Sequence, residues 1–199
     1  MTPDSMLTIA WDVDDVLNDL MRVWLEEKWL PEHPGCALRY GDIVKNPPHE
    51  ILGISLESYL ASLDAFRLSI DFMQMPPVKE VRDWFSASGH LFRHVAVTAV
   101  PMKAAHVSAA WVMRHFGPWI RTFHVVPSPR EGEQVFQYDQ DKAAFLKWIG
   151  KIDLSIDDAE ANLSQCQQAG IRGLAFPRPW NRNVTTITQT LDSLTDLSS

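Results

Sequence analysis

The stretch Ile9-Ala10-Trp11-Asp12-Val13-Asp14-Asp15 constrains this chain more than any other. A short apolar run, Leu7 to Trp11, reads as a buried strand, and it stops at Asp12, Asp14 and Asp15. Carboxylates ionised together at a buried strand end repel one another and raise one another's pKa. A divalent cation relieves that repulsion. The plainer alternative is a solvated acidic turn after an edge strand, and this stretch alone does not separate the two.

The rest of the chain supplies the context. Leu17, Leu20, Met21, Trp24 and Leu25 have helical spacing, which predicts a helix from Val16 to Leu30 closed by Pro31. Pro31 to Pro48 reads as loop, and a second helix runs from Leu56 to Leu68 with Ser55 as N-cap. This block interrupts what is otherwise an alternation of strands and helices. It divides the chain into a core of residues 1–18 and 76–199 and a small helical insertion, or cap, of residues 19–75. A pair of ordinary core helices is the other reading of the block. Trp24, Phe66 and Phe72, with Trp29 and Met73, are candidates for an aromatic wall facing a substrate, although aromatics at helical spacing also build cores.

From Pro76 the alternation is regular. A helix with buried Val78, Val81, Trp84 and Phe85 ends at Gly89, and a strand follows from Leu91 to Val97, ending at Thr98-Ala99. A helix from Pro101 to Phe116, a strand from Thr122 to Val126 and a loop from Pro127 to Gln137 come next. A helix beginning at Lys142 runs to Ile149, and a strand from Ile152 to Ile156 ends at Asp157-Asp158. A helix from Ala159 to Ala169, a strand from Ile171 to Phe176, the loop Pro177 to Asn183 and a last helix from Val184 to Leu194 complete the chain. Such alternation predicts an α/β fold, a Rossmann-like parallel sheet with helices on both faces. Ligands of these sheets bind outside the carboxyl ends of the strands. Asp12 and Asp14, Thr98, and Asp157 with Asp158 all fall at that edge, and Lys142 opens the helix whose far end feeds the fourth strand.

Composition narrows the partners. The net charge of -7, without a visible basic stripe, argues against a nucleic-acid polymer. The longest apolar runs fall short of the ~18 residues of a membrane helix, and Met1 to Leu7 is too short and polar for a signal peptide. Cys36 and Cys166, far apart and outside any CxxC, read as free thiols of a cytoplasmic protein. A homodimer is compatible with this composition. His94, His106, His115 and His124 lack zinc-ligand spacing and read as structural.

Carboxylates, a lysine and a hydroxyl on one edge, with a divalent metal, suit phosphoryl transfer. Mg²⁺ prefers oxygen ligands and shares them with substrate phosphate. Lys142 would neutralise phosphoryl oxygens, Thr98 would donate a hydrogen bond, and the backbone N–H near Ala99 could add another. One carboxylate can act as nucleophile and a second as general acid and base.

The ordered set Asp12-x-Asp14, Thr98, Lys142 and Asp157-Asp158 resembles the four motifs of the haloacid dehalogenase superfamily of phosphatases. The resemblance covers Leu7 to about Phe176 and implies Mg²⁺, with Asp12 as nucleophile and Asp14 as acid and base. It implies Thr98, Ala99 and Lys142 around the phosphoryl group, and Asp12, Asp14, Asp157 and Asp158 around the metal. Asp158 aligns with the usual strand-end ligand, and whether it or Asp157 binds directly stays open. Within the superfamily, Asp12 to Asp19 and the loop Phe176-Pro-Arg-Pro-Trp180-Asn181-Arg182 are similar to the 5'(3')-deoxyribonucleotidase group, which implies a nucleoside or deoxynucleoside monophosphate as the small phosphomonoester substrate. A sugar phosphate or other phosphometabolite is the alternative. A phospho-accepting receiver module is disfavoured, because the third strand ends at Val126-Pro127 without the acceptor aspartate and the second acid pair follows the lysine. Two departures stand out: Asp15 replaces a glycine common in the superfamily, and Ala99 replaces the polar residue common in the nucleotidases.

Overall fold

β1, Thr8–Trp11, is buried along its whole length because it is the central strand of a sheet covered on both faces. The structure, a computed structural model, describes residues 6–181 and 183–198. Met1 to Ser5, most of the segment read as unlike a signal peptide, and Arg182, the end of the nucleotidase-like loop, lie outside the described residues.

The sheet has five parallel strands in the order β3-β2-β1-β4-β5, with β2 Arg93–Val100, β3 Ile120–Pro127, β4 Leu154–Asp157 and β5 Arg172–Ala175. The chain therefore leaves β1 toward one side, through β2 and β3, and then returns to the other side of β1 for β4 and β5. This reversal opens a crevice at the carboxyl ends of β1 and β4.

Alternation along β1 divides the core. Ile9 and Trp11 point into a large apolar cluster, and Ala10 points into a smaller one on the opposite face with Val95, Val97, Phe145, Leu146 and Cys166. The helices of the regular half are α6 Lys79–Ser88, α7 Met102–Phe116, α8 Lys142–Ile149, α9 Glu160–Gln168 and α10 Ile187–Thr195. Cys36 and Cys166 are unbonded, as read from their spacing. No helix among the described residues is long and apolar enough to cross a membrane.

Between β1 and α6 the chain forms α1 Leu20–Trp24, a π-helical turn Leu25–Trp29, α2 Leu30–Glu32, α3 His49–Leu52, α4 Leu56–Arg67 and α5 Ile70–Gln74. α4 starts where expected, with the Ser55 hydroxyl accepting from the Ser58 N–H at 3.1 Å. The first helix, in contrast, begins at Leu20 rather than Val16. Asp15 has φ 62°, a left-handed conformation that no helix continues through. Asn18 Oδ1 then accepts from both Asp15 N (3.0 Å) and Leu20 N (3.1 Å), closing the turn and starting the helix. The helix also runs past Pro31 to Glu32, after the wider register of Leu25–Trp29, which precedes a residue with no N–H to give.

The two connections to this helical segment run side by side. Val78 N donates to Leu17 O at 3.0 Å, and Asn18 pairs with Pro77 in an isolated antiparallel bridge. The segment shares its apolar interior with the sheet: Trp24, Tyr59, Phe66 and Phe72 belong to the same cluster as Trp11, Phe85 and Trp111.

Candidate active site

Asp12 follows the last residue of β1, and its N–H donates to Ile156 O at 2.9 Å, which ties the turn to β4. Its carboxylate accepts from Val13 N (2.7 Å) on Oδ1 and from the Lys142 ammonium (2.7 Å) on Oδ2. Lys142, first residue of α8, also donates to Asp157 Oδ2 at 2.8 Å. Asp141 holds the start of that helix by accepting from Ala144 N at 2.8 Å. Burial alone would lower the Lys142 pKa, but Asp12 and Asp157 outweigh it and keep the ammonium charged.

The two adjacent acids at the end of β4, its last residue Asp157 and the following Asp158, have different surroundings. Asp157 is spent on Lys142, on Ala159 N (2.9 Å) and on the Asn162 amide (2.9 and 3.0 Å). Asp158 is 4% exposed and takes a hydrogen bond from Trp180 Nε1 on Oδ2 (2.7 Å). Oxygens of Asp12, Asp157 and Asp158 lie within 4.8 Å of one another, an arrangement able to hold a metal ion.

Asp14 points toward the helical segment. Asn18 Nδ2 donates to its Oδ1 (3.2 Å), and Arg67 donates to its Oδ2 through Nε (3.3 Å) and Nη2 (2.9 Å). Arg67 Nη1 also donates to Asp64 Oδ1 (3.1 Å), and Asp64 in turn is gripped by Arg130 at 2.7 and 2.8 Å and by Lys103 at 3.5 Å. Asp15 is turned away from Asp12: its Oδ1 accepts from Met21 N at 2.8 Å and its carbonyl from Arg178 Nε at 2.6 Å.

Of these groups, Asp12, Asp14, Asp15, Arg67, Lys142, Asp158 and Asn162 line a cleft of ≈170 Å³. Five carboxylates, Asp12, Asp14, Asp15, Asp157 and Asp158, face three cations, Lys142, Arg67 and Arg178, and Arg178 is shared with Asp19 at 2.7 Å. The excess of negative charge shows in the acids. Burial, with Asp157 and Asp158 beside it, holds the Asp12 carboxyl well above the usual range in spite of Lys142. Burial likewise pushes Asp158 up to about 7, with Asp157 and Asp15 adding to it, and Asp15 up to about 7 in spite of Arg178. The oxygens that Asp12, Asp157 and Asp158 bring together are hard donors, so this group suits a cation such as Mg²⁺ in charge and chemistry.

Asp12, Asp14, Thr98, Ala99, Lys142 and Asp158 all line this one cleft, as their positions at the sheet edge suggest. Thr98 and Ala99 lie inside β2, not at its end, and α7 starts only at Met102, so the expected helix terminus beside Ala99 is displaced along the chain. The aromatic wall is corrected. Trp24, Phe66 and Phe72 are at most 1% exposed and none lines the cleft. Trp24 packs edge-on against Tyr59 at 5.3 Å, and Phe66 packs against Phe72 at 6.3 Å, because their shared face meets the core. Leu20, Met21, Tyr59 and Leu63 form the apolar side of the cleft instead, with Asn46, Arg67 and Asn162 as further polar groups. Sequence reasoning missed Arg67 altogether. Its one local signal is Asp64 three residues earlier, which marks an ion pair and not its direction.

No family model matches the sequence, and no curated protein matches it. Solved structures do match the fold. A hydrolase from Streptococcus pneumoniae TIGR4 is 18% identical, with a TM-score of 0.58 over 95% of this chain and 98% of that one. A haloacid dehalogenase-like family hydrolase from Streptococcus pneumoniae is 12% identical, with a TM-score of 0.56 over 94% of this chain and 91% of that one. The HAD-hydrolase YfnB from Bacillus subtilis, bound to magnesium, is 14% identical, with a TM-score of 0.55 over 98% of this chain and 99% of that one. The chain thus has the α/β fold of haloacid dehalogenase-like hydrolases along nearly its whole length.

Proposed function

We propose that this chain is a Mg²⁺-dependent phosphomonoesterase of the haloacid dehalogenase type that works through an aspartyl-phosphate. The observation that carries the reading is the convergence of Asp12, Asp14, Lys142 and Asp158 on one cleft at the carboxyl edge of the sheet, from three distant stretches of chain. Neighbours of the same fold include HAD hydrolases, one of them bound to magnesium, which supports both the reaction class and the metal.

In this reading an Asp12 carboxylate oxygen attacks the phosphorus of the ester. The bond from phosphorus to the leaving oxygen breaks as the Asp14 carboxyl gives that oxygen its proton. Asp14, now a carboxylate, takes a proton from water, and the water oxygen attacks the phosphorus of the aspartyl-phosphate to release phosphate and restore Asp12. Asn18 and Arg67 hold Asp14 as a carboxylate in the resting site, and in this reading Arg67 gives up its hold to the incoming phosphoryl group as Asp14 takes up the proton it delivers. Lys142 and Thr98 would hold phosphoryl oxygens, Lys142 giving up part of its hold on Asp12 to do so. Asp12 and Asp158 would hold the metal, with the Asp14 backbone carbonyl; Asp157 already satisfies Lys142 and Asn162. When bound, the metal supplies positive charge to the phosphoryl oxygens in the transition state.

The helical segment 19–75 acts as the cap over the core of 1–18 and 76–199. The neck at Asn18 and Pro77 and the reach of Arg67 to Asp14 support this division. For substrate, the nucleotidase-like loop Phe176 to Asn181, packed on Asp158, favours a nucleoside or deoxynucleoside monophosphate, its base against Tyr59, Leu63 and Met21. The polar groups Asn46, Arg67 and Asn162 on the cleft lining favour a second reading, a more polar phosphometabolite such as a sugar phosphate. Phosphate release from a panel of deoxynucleotides, ribonucleotides, 3'-nucleotides and sugar phosphates with Mg²⁺ tests both. Release from none of them removes the proposal; release from sugar phosphates alone keeps the chemistry and discards the nucleotide.

A further inference from the structure

The segment from Arg178 to Asn181 takes no part in the chemistry above, yet it touches both acidic turns. Arg178 is buried and donates through Nε to Asp15 O (2.6 Å), through Nη2 to Asn18 O (3.2 Å) and through Nη1 to Asp19 Oδ1 (2.7 Å) and the Tyr40 hydroxyl (3.4 Å). Two residues on, Trp180 Nε1 donates to Asp158 Oδ2 at 2.7 Å, and the Trp180 ring is met edge-on by Tyr40 at 6.1 Å. Asn181 Nδ2 donates to the carbonyls of Asp158 (3.0 Å) and Phe176 (2.7 Å), and its Oδ1 accepts from Arg178 N at 3.3 Å. One short stretch thereby spans the turn after β1 and the acid pair at the end of β4.

We infer that this stretch is the brace of the metal site, with Trp180 as a positioning residue that aims the Asp158 carboxylate at the cation. The inference rests on the reading of Asp158 as a metal ligand. The contrast with Asp157 carries it. Asp157 has both oxygens taken, Oδ2 by Lys142 and Asn162 and Oδ1 by Ala159 N and Asn162, which leaves it little to give a metal. Asp158 is fixed by a neutral indole N–H, which occupies one oxygen and sets the rotation of the carboxyl without a cation of its own to compete with a metal. That leaves Oδ1 outside the indole hydrogen bond, on a residue that lines the cleft. Groups that orient metal ligands in this way are worth about 10- to 100-fold in metal affinity. Arg178, held by backbone carbonyls on the far side, fixes how far the Asp158 turn stands from the Asp12 turn, and so the width of the oxygen set.

The test is the affinity of the full chain for Mg²⁺ by calorimetry and for Mn²⁺ by electron paramagnetic resonance, in wild type, Trp180→Phe and Trp180→His. Trp180→Phe removes the N–H and should weaken both metals about 10-fold or more. Activity at saturating Mg²⁺ should then recover most of its kcat, with the substrate KM unmoved. Trp180→His loses more bulk than Trp180→Phe but keeps a ring N–H, and should still bind metal more tightly than Trp180→Phe. Wild-type affinity in Trp180→Phe overturns the inference. So does an equal loss in both variants that follows their loss of thermal stability, since packing alone would explain it. Wild-type protein that binds neither metal would instead bring down the metal reading on which this one stands.

Discussion

Replacing Lys142 with methionine is the most direct probe of how this site is held together. The ammonium lies 2.7 Å from Asp12 Oδ2 and 2.8 Å from Asp157 Oδ2, and all three residues are buried. Met has a similar stem and no charge, so the substitution leaves little void and strands two carboxylates at once. Breaking a buried ion pair by removing one partner costs about 3–5 kcal/mol. In a chain of this size that is a fall in Tm of about 6–20 °C at 2–4 °C per kcal/mol. Asp12, whose carboxyl burial already holds high, takes up a proton to limit the cost, so the loss is smaller at pH 5 than at pH 8. Adding Asp157→Asn removes one of the two stranded charges and should return part of the stability. Mg²⁺ at about a hundred times its Kd should return about 2.7 kcal/mol by binding the folded state. Turnover should fall by about 10²–10³ at saturating Mg²⁺, the usual cost of losing one group that stabilises the transition-state charge. Calorimetric melts at the two pH values, with and without Mg²⁺, read the stability, and phosphate release reads the rate. A Lys142→Met protein within about 0.5 kcal/mol of wild type in metal-free buffer, the range of ordinary surface changes, would refute the account of Lys142 as the ion that holds the two acidic turns together.

Other outcomes follow from the same geometry. Asp12→Asn should abolish phosphate release while the protein stays folded by circular dichroism; undiminished turnover would remove the aspartyl-phosphate. Chelation of divalent metal should stop the reaction and lower Tm, and turnover in metal-free protein would sink the metal assignment. Asp15→Asn keeps a residue type that tolerates φ 62° and an oxygen for Met21 N, but deletes a carboxyl pushed up to about 7. A carboxyl raised in the folded state loses stability as pH rises, here by at most about 4 kcal/mol by pH 8, so the variant should be more stable than wild type at pH 8 and not at pH 4. His94 behaves in the opposite sense: burial lowers it to about 4, its Nδ1 accepting from Trp11 Nε1 (3.0 Å) while Nε2 meets Gly89 O (2.8 Å). Its stability contribution is present above about pH 6.5 and is lost as pH falls toward 4, about 3 kcal/mol in all. Urea titrations from pH 7 to 5 should show a shallower pH slope for His94→Gln than for wild type; equal slopes would exclude His94 as the group responsible.

The parallel sheet and the acids on its edge were legible because both depend on local signals. Apolar runs and intervening helical spacing give the alternation, and carboxylates at the ends of β1 and β4 fall at the carboxyl edge by the rule for such sheets. The histidines read as structural include His94, which serves Trp11, and His124, which meets Asp139 at 3.2 Å. The segment from Val16 to Asp19 was misread as helix, which begins at Leu20. Val16 and Leu17 do have helical spacing with Leu20, but a left-handed residue leaves no mark on hydrophobic periodicity. The wall failed for a related reason. Spacing shows that Trp24, Phe66 and Phe72 belong to buried faces, and only the fold decides that those faces meet the core and not the cleft. Arg67 was hidden because its partner Asp14 lies 53 residues away, and the loop of Trp180 was legible while its partner Asp158, 22 residues away, was not.

The common apolar interior beneath the helical segment bears on how such a protein can change over evolutionary time. An inserted module tethered by two paired linkers is the sort of part that recombination could exchange for another, giving the same chemistry a new substrate. Here Trp24, Tyr59, Phe66 and Phe72 pack into one cluster with Trp11, Phe85 and Trp111, Trp111 Nε1 donates to Met75 O at 2.8 Å, and Asp64 is bound by Arg130 from the far side of the sheet edge. A foreign module would leave those surfaces and charges unmatched. In the proposed function, substrate preference can then drift by single replacements at Met21, Asn46, Tyr59 and Leu63, which line the cleft, more readily than by exchange of the segment that carries them.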